Sequence, residues 1–170
     1  ANRIDEVIKT DVTIKDSTTP EKIENVKGVL KFNNVNFKYP GSNENAIEGI
    51  DFTAEPGKTT AIIGSTGCGK STLVNLIPRL YDVTDGSITL DGHDIRNISM
   101  KDLRAQLGYV PQKGILFSGD IASNLRFGKE NATDEQIQEA AEIAQATEFI
   151  ESKKARYETP IAQGGTNVSG

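Results

Sequence analysis

The sequence predicts an α/β fold of mixed architecture. Segments with the two-residue alternation of strands are followed by segments with helical periodicity, as is typical of α/β domains. The part of the chain before Thr59 carries several alternating stretches separated by turn residues, which favours antiparallel strands there. The chain has 170 residues, of which 36% are hydrophobic and 25% charged, and this fits a globular protein with its own core.

Three broad properties narrow the class of protein. A formal net charge of −5 argues against a general nucleic-acid binder, because such proteins are normally basic. Cys68 is the one cysteine, so no internal disulfide can form, which fits a reducing compartment. No apolar run approaches the roughly 18 residues that a membrane span needs, and the first ten residues lack the apolar stretch of a signal peptide.

The first 58 residues are predicted to hold a helix, a linker and two strands. The polar stretch 10–28, with its proline, is interpreted as a linker. Alternating apolar residues predict a strand over 30–39, with a bulge at 33–34 where the alternation slips by one residue, and a second strand around 50–52. A short amphipathic helix over residues 1–9 is predicted from three apolar residues at helical spacing: Ile4, Val7 and Ile8.

Two short apolar stretches further along are predicted to form strands. The first is TTAIIG over residues 59–64, expected to be buried, and the second is LGYVPQ over residues 107–112. Between them, DGSITLDGHDI carries two Asp-Gly pairs around alternating residues, which predicts a β-hairpin.

Two longer segments are predicted to be helices. The first runs from about Gly69 to Leu80, and Pro78 should weaken its last turn because proline has no amide donor. The second runs from Thr133 to Thr147, where Thr133 and Gln136 are spaced as a capping box. The predicted buried residues are Leu73, Val74, Ile77 and Leu80 in the first helix, and Ile137, Ala140, Ala141 and Ala144 in the second.

The stretch GSTGCGKST matches the phosphate-binding pattern G-x-x-x-x-G-K-[ST]. Glycines allow successive backbone N–H groups to point inward at a phosphate, and the start of the next helix adds further donors. Lys70 can reach the β- and γ-phosphates, and Ser71 offers a hydroxyl to Mg²⁺. The alternative is an ordinary glycine turn ahead of a helix. The predicted nucleotide-binding residues of the loop are Gly64, Ser65, Thr66, Gly67, Cys68, Gly69, Lys70, Ser71 and Thr72.

This loop and the sequence around it resemble the nucleotide-binding domain of ATP-binding cassette (ABC) transporters. The likeness runs from about Val29 to the end, and LFSGDIASNL after YVPQ resembles the exporter branch in particular. It implies a P-loop NTPase core with an N-terminal antiparallel β subdomain and the start of a helical subdomain, as an incomplete cassette. Residues 29–170 would be the N-terminal part of that domain. Residues 1–28 would be a helix and linker that follow an upstream transmembrane domain.

The resemblance assigns roles to residues outside the loop. Tyr39 matches the aromatic residue that stacks on adenine, and Ala46 falls in the same nucleotide site. Gln112 in VPQ matches the glutamine that contacts Mg²⁺ and the attacking water, so it joins Lys70 as a catalytic residue. In TPIAQGG, Gln163 stands where the family usually has an acidic residue. This loop therefore lacks the carboxylate that would pair with a charge on the coupling helices.

The last three residues match the opening of the ABC signature motif. Val168 takes the place of the usual leucine, and Ser169 and Gly170 would contact ATP held by the opposite subunit. The resemblance also implies a Walker B aspartate, a catalytic glutamate and a switch histidine after this motif. None of them is in the sequence, and His93, the one histidine, lies in the predicted hairpin. The chain alone is therefore expected to bind nucleotide weakly and not to turn it over.

The function implied by the resemblance is ATP hydrolysis coupled to export of a substrate across a membrane. ATP and Mg²⁺ are the implied cofactors, and nucleic acid is not an expected partner. The implied partners are a second nucleotide-binding domain, identical or different, and the coupling helices of a transmembrane domain, at the cytoplasmic face of the cell membrane. Two alternatives stay open: a soluble ABC ATPase without a membrane domain, and a non-catalytic half of a heterodimer.

Overall fold

A computed structural model describes residues 2–168 of the chain. The chain divides into two compact units, Ala1–Tyr109 and Val110–Gly170. The linker over residues 10–28 belongs to the first unit. The domain boundary expected between residues 28 and 29 stays a prediction.

The first unit contains a four-stranded antiparallel sheet and three helices among its described residues. Its helices are α1 (Asn2–Lys9), α2 (Lys70–Leu76) and α3 (Met100–Ala105), and its strands are β1 (Leu30–Phe37), β2 (Ile47–Ala54), β3 (Asp85–Leu90) and β4 (His93–Asp94). The strand order is β2-β1-β3-β4, so the two edges are β2 and β4. The N-terminal helix, the antiparallel strands and the hairpin predicted from the sequence are all confirmed.

The predicted bulge in β1 is also confirmed. The pairing of β1 with β2 shifts between Phe32 and Val35, and Asn34 takes a positive φ of 44°. A Cβ atom added at Gly86 of β3 would lie 2.2 Å from the carbonyl oxygen of Asn34. The bulge therefore requires glycine on the facing strand, because no side chain would fit at so close a backbone approach.

One apolar core holds the first unit together. Phe32 of β1 stacks on Phe52 of β2, with 4.5 Å between ring centroids. Helix α2 packs on the sheet through Leu73 and Leu76, which are 6% and 0% exposed. The buried residues of this core are Phe32, Val35, Phe37, Ile47, Leu73, Leu76, Ile88, Leu90, Ile95, Ile98 and Leu103.

Helix α2 is shorter than its sequence pattern predicts. It ends at Leu76, because Pro78 follows and Arg79 adopts a left-handed backbone conformation with φ 56°. The predicted burial is confirmed for Leu73. It is wrong for Leu80, which is 44% exposed because the chain has already turned away.

The two short strands predicted at 59–64 and 107–112 are absent. Residues 59–64 have no regular structure and are exposed, with Ile63 91% exposed, and Val110 in the second stretch is 93% exposed. A strand requires a neighbour that accepts and donates its backbone hydrogen bonds. Within residues 2–168, no segment pairs with either stretch.

The linker lies against the first unit at several points. Arg79, which is 3% exposed, donates to the carbonyl oxygen of Lys15 and forms an ion pair with Asp82 at 2.6 Å. The carboxylate of Glu21 lies 2.6 Å from Nδ1 of His93, which places the one histidine in a half-exposed contact rather than in a free turn. The linker is therefore held by backbone and side-chain hydrogen bonds although it has no regular structure.

The second unit is a small assembly of helices with one short two-stranded antiparallel sheet. Its elements are β5 (Gly119–Asp120), α4 (Ile121–Leu125), α5 (Asp134–Ile143), α6 (Thr147–Glu151) and β6 (Pro160–Ile161), and β5 pairs with β6 antiparallel. The buried cluster of this unit contains Ile121, Ala141, Ile150 and Ile161. No helix in the described residues of either unit is long and apolar enough to cross a membrane.

Helix α5 begins where the sequence predicts and ends earlier. Thr133 and Gln136 form the predicted capping box. The helix stops at Ile143, and Gln145 turns the chain with φ 55° before α6 begins. Ile137 and Ala141 are buried as predicted. Residues 140 and 144, also predicted to be buried, are exposed.

Candidate functional site

A cleft of about 390 Å³ lies in the first unit, beside the N-terminus of α2. It brings together Tyr39, which closely follows β1, residues that directly precede β2, and most of the glycine-rich loop. Of the residues predicted from the sequence, Tyr39, Ala46 and the segment from Gly67 to Thr72 line it, and Asn45 is an addition that no motif indicated. The loop and the aromatic residue, which are distant in sequence, therefore share one site.

Contacts with β2 hold the glycine-rich loop in place. Gly69 has φ 89°, and a Cβ atom there would lie 2.7 Å from the carbonyl oxygen of Ala46 and 2.9 Å from Cδ1 of Ile47. Gly67 is also left-handed, with φ 85°. The buried strand predicted ahead of the loop is absent. The loop is therefore fixed by its close approach to the backbone at residue 46, which only glycine permits.

Lys70 is the only charged side chain among the described residues that line the cleft. Its ammonium group donates to the carbonyl oxygens of Gly64, at 2.8 Å, and Ser65, at 2.6 Å, and it lies 3.5 Å from Sγ of Cys68. The lysine thus folds back over its own loop and places a positive charge within it. A phosphate entering the loop would meet this charge together with the backbone donors.

The hydroxyl groups of the loop differ in their surroundings. Ser71 is exposed on the cleft wall. Thr72 is buried, and its Oγ1 lies 2.9 Å from the hydroxyl oxygen of Tyr39. Cys68 is exposed with a free thiol. Ser71 is therefore available to a ligand, whereas Thr72 already holds the aromatic residue.

The ring of Tyr39 is fixed by two further aromatic residues. Phe37 meets it edge to face with ring centroids 4.8 Å apart, and Tyr81 does so at 5.3 Å. Tyr81 follows α2 in the sequence, and nothing in its local pattern distinguishes it from a surface tyrosine. Together with the Thr72 hydrogen bond, these contacts restrict both the tilt and the rotation of the Tyr39 ring.

Gln112 belongs to the second unit, where it is exposed in an irregular segment between residues 110 and 118. Further along this segment, Phe117 stacks on Phe127 with 4.6 Å between ring centroids, and both rings are largely exposed. The side-chain amide of Asn124 makes two hydrogen bonds to the backbone of residue 117. Its Oδ1 accepts from the N–H, and its Nδ2 donates to the carbonyl oxygen. The apolar side chains of residues 115–117 are therefore exposed to solvent.

Val168 is the one residue of the predicted signature motif within the described part of the chain. It is partly buried against the cluster of the second unit, and its N–H donates to the carbonyl of Gly165 at 3.0 Å. Ser169 and Gly170 lie outside the described residues.

The metal site predicted at Ser71 has a limited set of donors. In the span 2–168, no group of three or more histidine, cysteine, aspartate or glutamate residues is arranged to hold a metal ion. A single hydroxyl does not bind free Mg²⁺, but it suits an ion whose other ligands are phosphate oxygens and water. Ser71 therefore fits Mg²⁺ that enters together with a nucleotide.

Comparison with known proteins identifies the family. A family model described as ABC transporter matches residues 47–170. An uncharacterized ABC transporter ATP-binding protein of Bacillus subtilis is 41% identical over 99% of this chain, and ABC transporter B family member 4 of Dictyostelium discoideum is also 41% identical over 99%. The chain spans 29% and 22% of the lengths of these two relatives.

A solved structure is similar over nearly the whole chain. It is that of a bacterial Atm1-family ABC exporter with ATP bound, and it matches 99% of this chain with a TM-score of 0.90 and 32% sequence identity. The match covers 30% of that exporter. The chain therefore belongs to the ABC transporter family and carries an ATP-binding domain of the exporter type, as its phosphate-binding loop, its antiparallel sheet and these similarities show.

Proposed function

We propose that the cleft beside α2 binds Mg²⁺-ATP and that, in the natural protein, its hydrolysis drives export of a substrate across a membrane. One observation carries this proposal: the glycine-rich loop and the ring of Tyr39 line a single cleft. A nucleoside triphosphate needs donors for its phosphates and a flat apolar surface for its base, and this cleft offers both.

The base end of the nucleotide lies at Tyr39. Phe37 and Tyr81 pack nearly perpendicular to the ring, and Tyr39 lines the cleft, where a purine can stack on it. Because the ring is already fixed, little side-chain entropy is lost when the base binds. Ala46 is small, and its contact with Gly69 keeps the loop next to the base site.

The phosphate end lies at the loop. Lys70 leaves the carbonyl oxygens of Gly64 and Ser65 and turns to the β- and γ-phosphates, exchanging neutral acceptors for charged ones. Ser71 directs its hydroxyl at Mg²⁺, which, when bound, neutralises charge on the phosphate oxygens. The backbone N–H groups of the loop complete the set of donors.

Hydrolysis requires residues from outside the first unit. Gln112 would orient the attacking water and would be a ligand of Mg²⁺, because its amide can accept and donate at once. Ser169 and Gly170 serve the ATP held by a second ABC domain. We infer from the family resemblance that the Walker B aspartate, the catalytic glutamate and the switch histidine are not among the 170 residues. We therefore propose that the chain by itself binds nucleotide without turning it over.

The membrane partner docks on the second unit. The exposed stack of Phe117 and Phe127, together with the apolar residues before it, forms a surface for the coupling helices of a transmembrane domain. Similarity to an Atm1-family exporter supports this partner over a soluble ABC ATPase. The domain then lies at the cytoplasmic face of the cell membrane.

The test of nucleotide binding uses Cys68, the one cysteine of the sequence. The thiol lies beside Lys70 in the loop, so bound Mg²⁺-ATP should slow its alkylation by a maleimide at least tenfold. Lys70→Ala should abolish this protection, whereas Lys58→Ala, on a surface turn, should retain it. Equal labelling with and without Mg²⁺-ATP in the natural protein would contradict the proposed site.

The test of export uses the natural protein in lipid vesicles. ATP turnover should depend on Lys70 and on Mg²⁺, and should change when the transported compound is present. A natural protein with no hydrophobic membrane spans ahead of residue 1 would favour a soluble ABC ATPase instead. Nucleotide binding without turnover in the natural protein would favour a non-catalytic half of a heterodimer.

A further inference from the structure

We propose that Tyr81 is a positioning residue for ATP binding, because it fixes the plane of the Tyr39 ring on which the base stacks. This inference rests on the proposed function, in which Tyr39 contacts the base. Tyr81 does not contact nucleotide in this proposal, and it is not among the described residues that line the cleft. It acts on the base through the ring of Tyr39.

The hydrogen bond between Tyr39 and Thr72 fixes the tip of the tyrosine but not the plane of its ring. The hydroxyl oxygen of a tyrosine lies on the axis about which the ring rotates, so it stays in place when the ring turns. The Tyr39 hydroxyl can therefore keep its 2.9 Å distance from Oγ1 of Thr72 while the ring rotates. Stacking on a base depends on the plane of the ring, so groups that pack on the ring must fix it.

Two aromatic rings pack on Tyr39, and they also contact each other. The centroid of the Tyr81 ring lies 5.3 Å from that of Tyr39, with 86° between the ring planes, and Phe37 lies at 4.8 Å and 80°. The centroids of Phe37 and Tyr81 are 5.4 Å apart. Nearly perpendicular pairs are favourable because the positive edge of one ring meets the negative face of the other. Rotation of the Tyr39 ring would therefore disturb both of its contacts.

The two supporting rings differ in their place in the core. Phe37 is 2% exposed and belongs to the buried core of the first unit, so its replacement would disturb the fold as a whole. Tyr81 is only partly buried and packs on the outside of the same core. Its support of Tyr39 can therefore be removed with less damage to the rest of the unit.

The turn that carries Tyr81 is itself held on both sides. The guanidinium of Arg79 donates to both carboxylate oxygens of Asp82, at 2.6 Å and 3.0 Å, so the residues that flank positions 80 and 81 are tied together. Nε of Arg104 donates to the carbonyl oxygen of Pro78 at 3.0 Å. Tyr81 therefore extends from a backbone that is fixed by side chains of two elements.

A positioning role predicts a loss of affinity that depends on the base of the ligand. Inorganic tripolyphosphate carries no base, so it should bind to the glycine-rich loop without help from Tyr39. A general loosening of the first unit would instead weaken the binding of both ligands. Phe52 offers a matched control, because its ring also packs on the core of this unit, 4.5 Å from that of Phe32, but does not line the cleft.

The test measures Kd values in the natural protein with Mg²⁺ present. The ligands are inorganic tripolyphosphate and an ATP analogue with a β,γ-imido bridge, which is not hydrolysed. Tyr81→Leu keeps an apolar side chain and removes the ring. It should raise the Kd of the ATP analogue about three- to tenfold, within the range that a pair of aromatic rings contributes, and change the Kd of tripolyphosphate by less than about twofold.

Two further variants separate the ring from its surroundings. Tyr81→Phe retains the ring that packs on Tyr39, so its Kd for the ATP analogue should stay within about twofold of the parent value. Phe52→Leu should also leave this Kd within about twofold, although it removes an aromatic pair from the same core.

A double-mutant cycle shows whether Tyr81 acts through Tyr39. Once Tyr39→Ala has removed the stacking ring, the addition of Tyr81→Leu should cause no further rise in the Kd of the ATP analogue. A full additional rise in the double variant would overturn the positioning role, because Tyr81 would then act on the nucleotide by another route.

The other outcomes are equally decisive. An unchanged Kd in Tyr81→Leu, an equal rise in Phe52→Leu, or an equal loss of affinity for tripolyphosphate would overturn the positioning role. So would a Tyr81→Phe variant that binds as weakly as Tyr81→Leu. In all of these cases the parent still binds the ATP analogue, whereas failure of the parent to bind it would overturn the proposed function and this inference with it.

Discussion

The hydroxyl of Tyr39 lies 2.9 Å from the hydroxyl of Thr72, and this hydrogen bond joins the aromatic side of the cleft to helix α2. The two residues are 33 positions apart in the sequence. Thr72 is buried and follows Ser71 directly, so the residue that would face the metal and the residue that holds the aromatic ring are adjacent. The Tyr39 ring and the start of α2 are therefore connected directly by a side-chain hydrogen bond.

Two replacements of Tyr39 should distinguish the contribution of its ring to ATP affinity from the contribution of its hydroxyl group. Tyr39→Ala should raise the Kd for ATP about 5- to 150-fold, because stacking of a base on an aromatic ring contributes about 1–3 kcal/mol. Tyr39→Phe keeps the ring and should raise the Kd by no more than about 2- to 13-fold, since a hydrogen bond contributes about 0.5–1.5 kcal/mol. Titration with a fluorescent ATP analogue measures both, and equal losses in the two variants would show that the ring does not stack.

Replacement of Gly69 should disable the loop. Gly69→Ala places a methyl group 2.7 Å from the carbonyl oxygen of Ala46, so the loop must move away from β2, and the Kd for ATP should rise at least about tenfold. Gly57→Ala is the matched control, because Gly57 is also left-handed, with φ 68°, but a Cβ atom there meets nothing within 4 Å. The control should lose about 1 kcal/mol of stability and no affinity. Equal ATP affinity in the two variants would contradict the proposed fit between loop and strand.

Loss of Arg79 should destabilise the first unit strongly. The guanidinium is buried, donates to Lys15 and pairs with Asp82, so Arg79→Met leaves a carboxylate and a carbonyl without their donor. The free energy of unfolding, measured with urea, should fall by about 2–4 kcal/mol. Lys58→Met removes an exposed ion pair with Glu55 and should cost less than about 0.5 kcal/mol. A similar cost for both would show that the Arg79 network contributes no more than a surface pair.

The stability of the first unit should depend on pH through Asp91. Burial acts to raise the pKa of this carboxyl, but hydrogen bonds from the backbone N–H groups of Val29, Gly28 and Lys27 outweigh it, and the pKa lies below its ordinary value. A carboxyl with a lowered pKa stabilises the fold above its unfolded pKa of about 3.9, and this contribution is lost as the pH falls through the folded pKa.

The variant for this pH dependence is Asp91→Asn, because asparagine tolerates the φ of 51° at this position. It should lower the free energy of unfolding by about 1–2 kcal/mol between pH 5 and 7, and the difference from the wild type should shrink below about pH 4. Asp11→Asn removes the same charge from the exposed part of the linker and serves as the control. A difference that stays constant down to pH 3 would exclude ionisation of Asp91 as the cause.

Local signals in the sequence predict the features that depend on neighbouring residues. The hairpin at Asp91 follows from an Asp-Gly pair, the bulge at Asn34 from a slip in alternation, and the start of α5 from its capping box. These features are set by turn and cap chemistry within a few residues, so they can be recognised without a fold.

Features that depend on residues far apart in the sequence were either not predicted from local patterns or predicted wrongly. The apolar stretch 59–64 has the composition of a strand, but a strand also needs a neighbour, and no described segment provides one. The turn at Gln145, after α5 ends at Ile143, carries neither glycine nor proline, so the local sequence does not predict it. In the cleft, the glycine pattern predicts the loop, whereas the support of Tyr39 by Thr72 and Tyr81 depends on packing between separate elements.

The unpaired stretch 59–64 has a consequence for handling of the chain in solution. It presents Ile62 and Ile63 to solvent, the latter 91% exposed, in an uncharged run with free backbone donors and acceptors. Such runs pair readily with copies of themselves and seed intermolecular sheets. The same six residues that lead into the phosphate-binding loop therefore make the 170-residue chain prone to self-association, and a charged residue placed at Ile63 should improve its solubility more than the same change at Ile115, which lies outside this stretch.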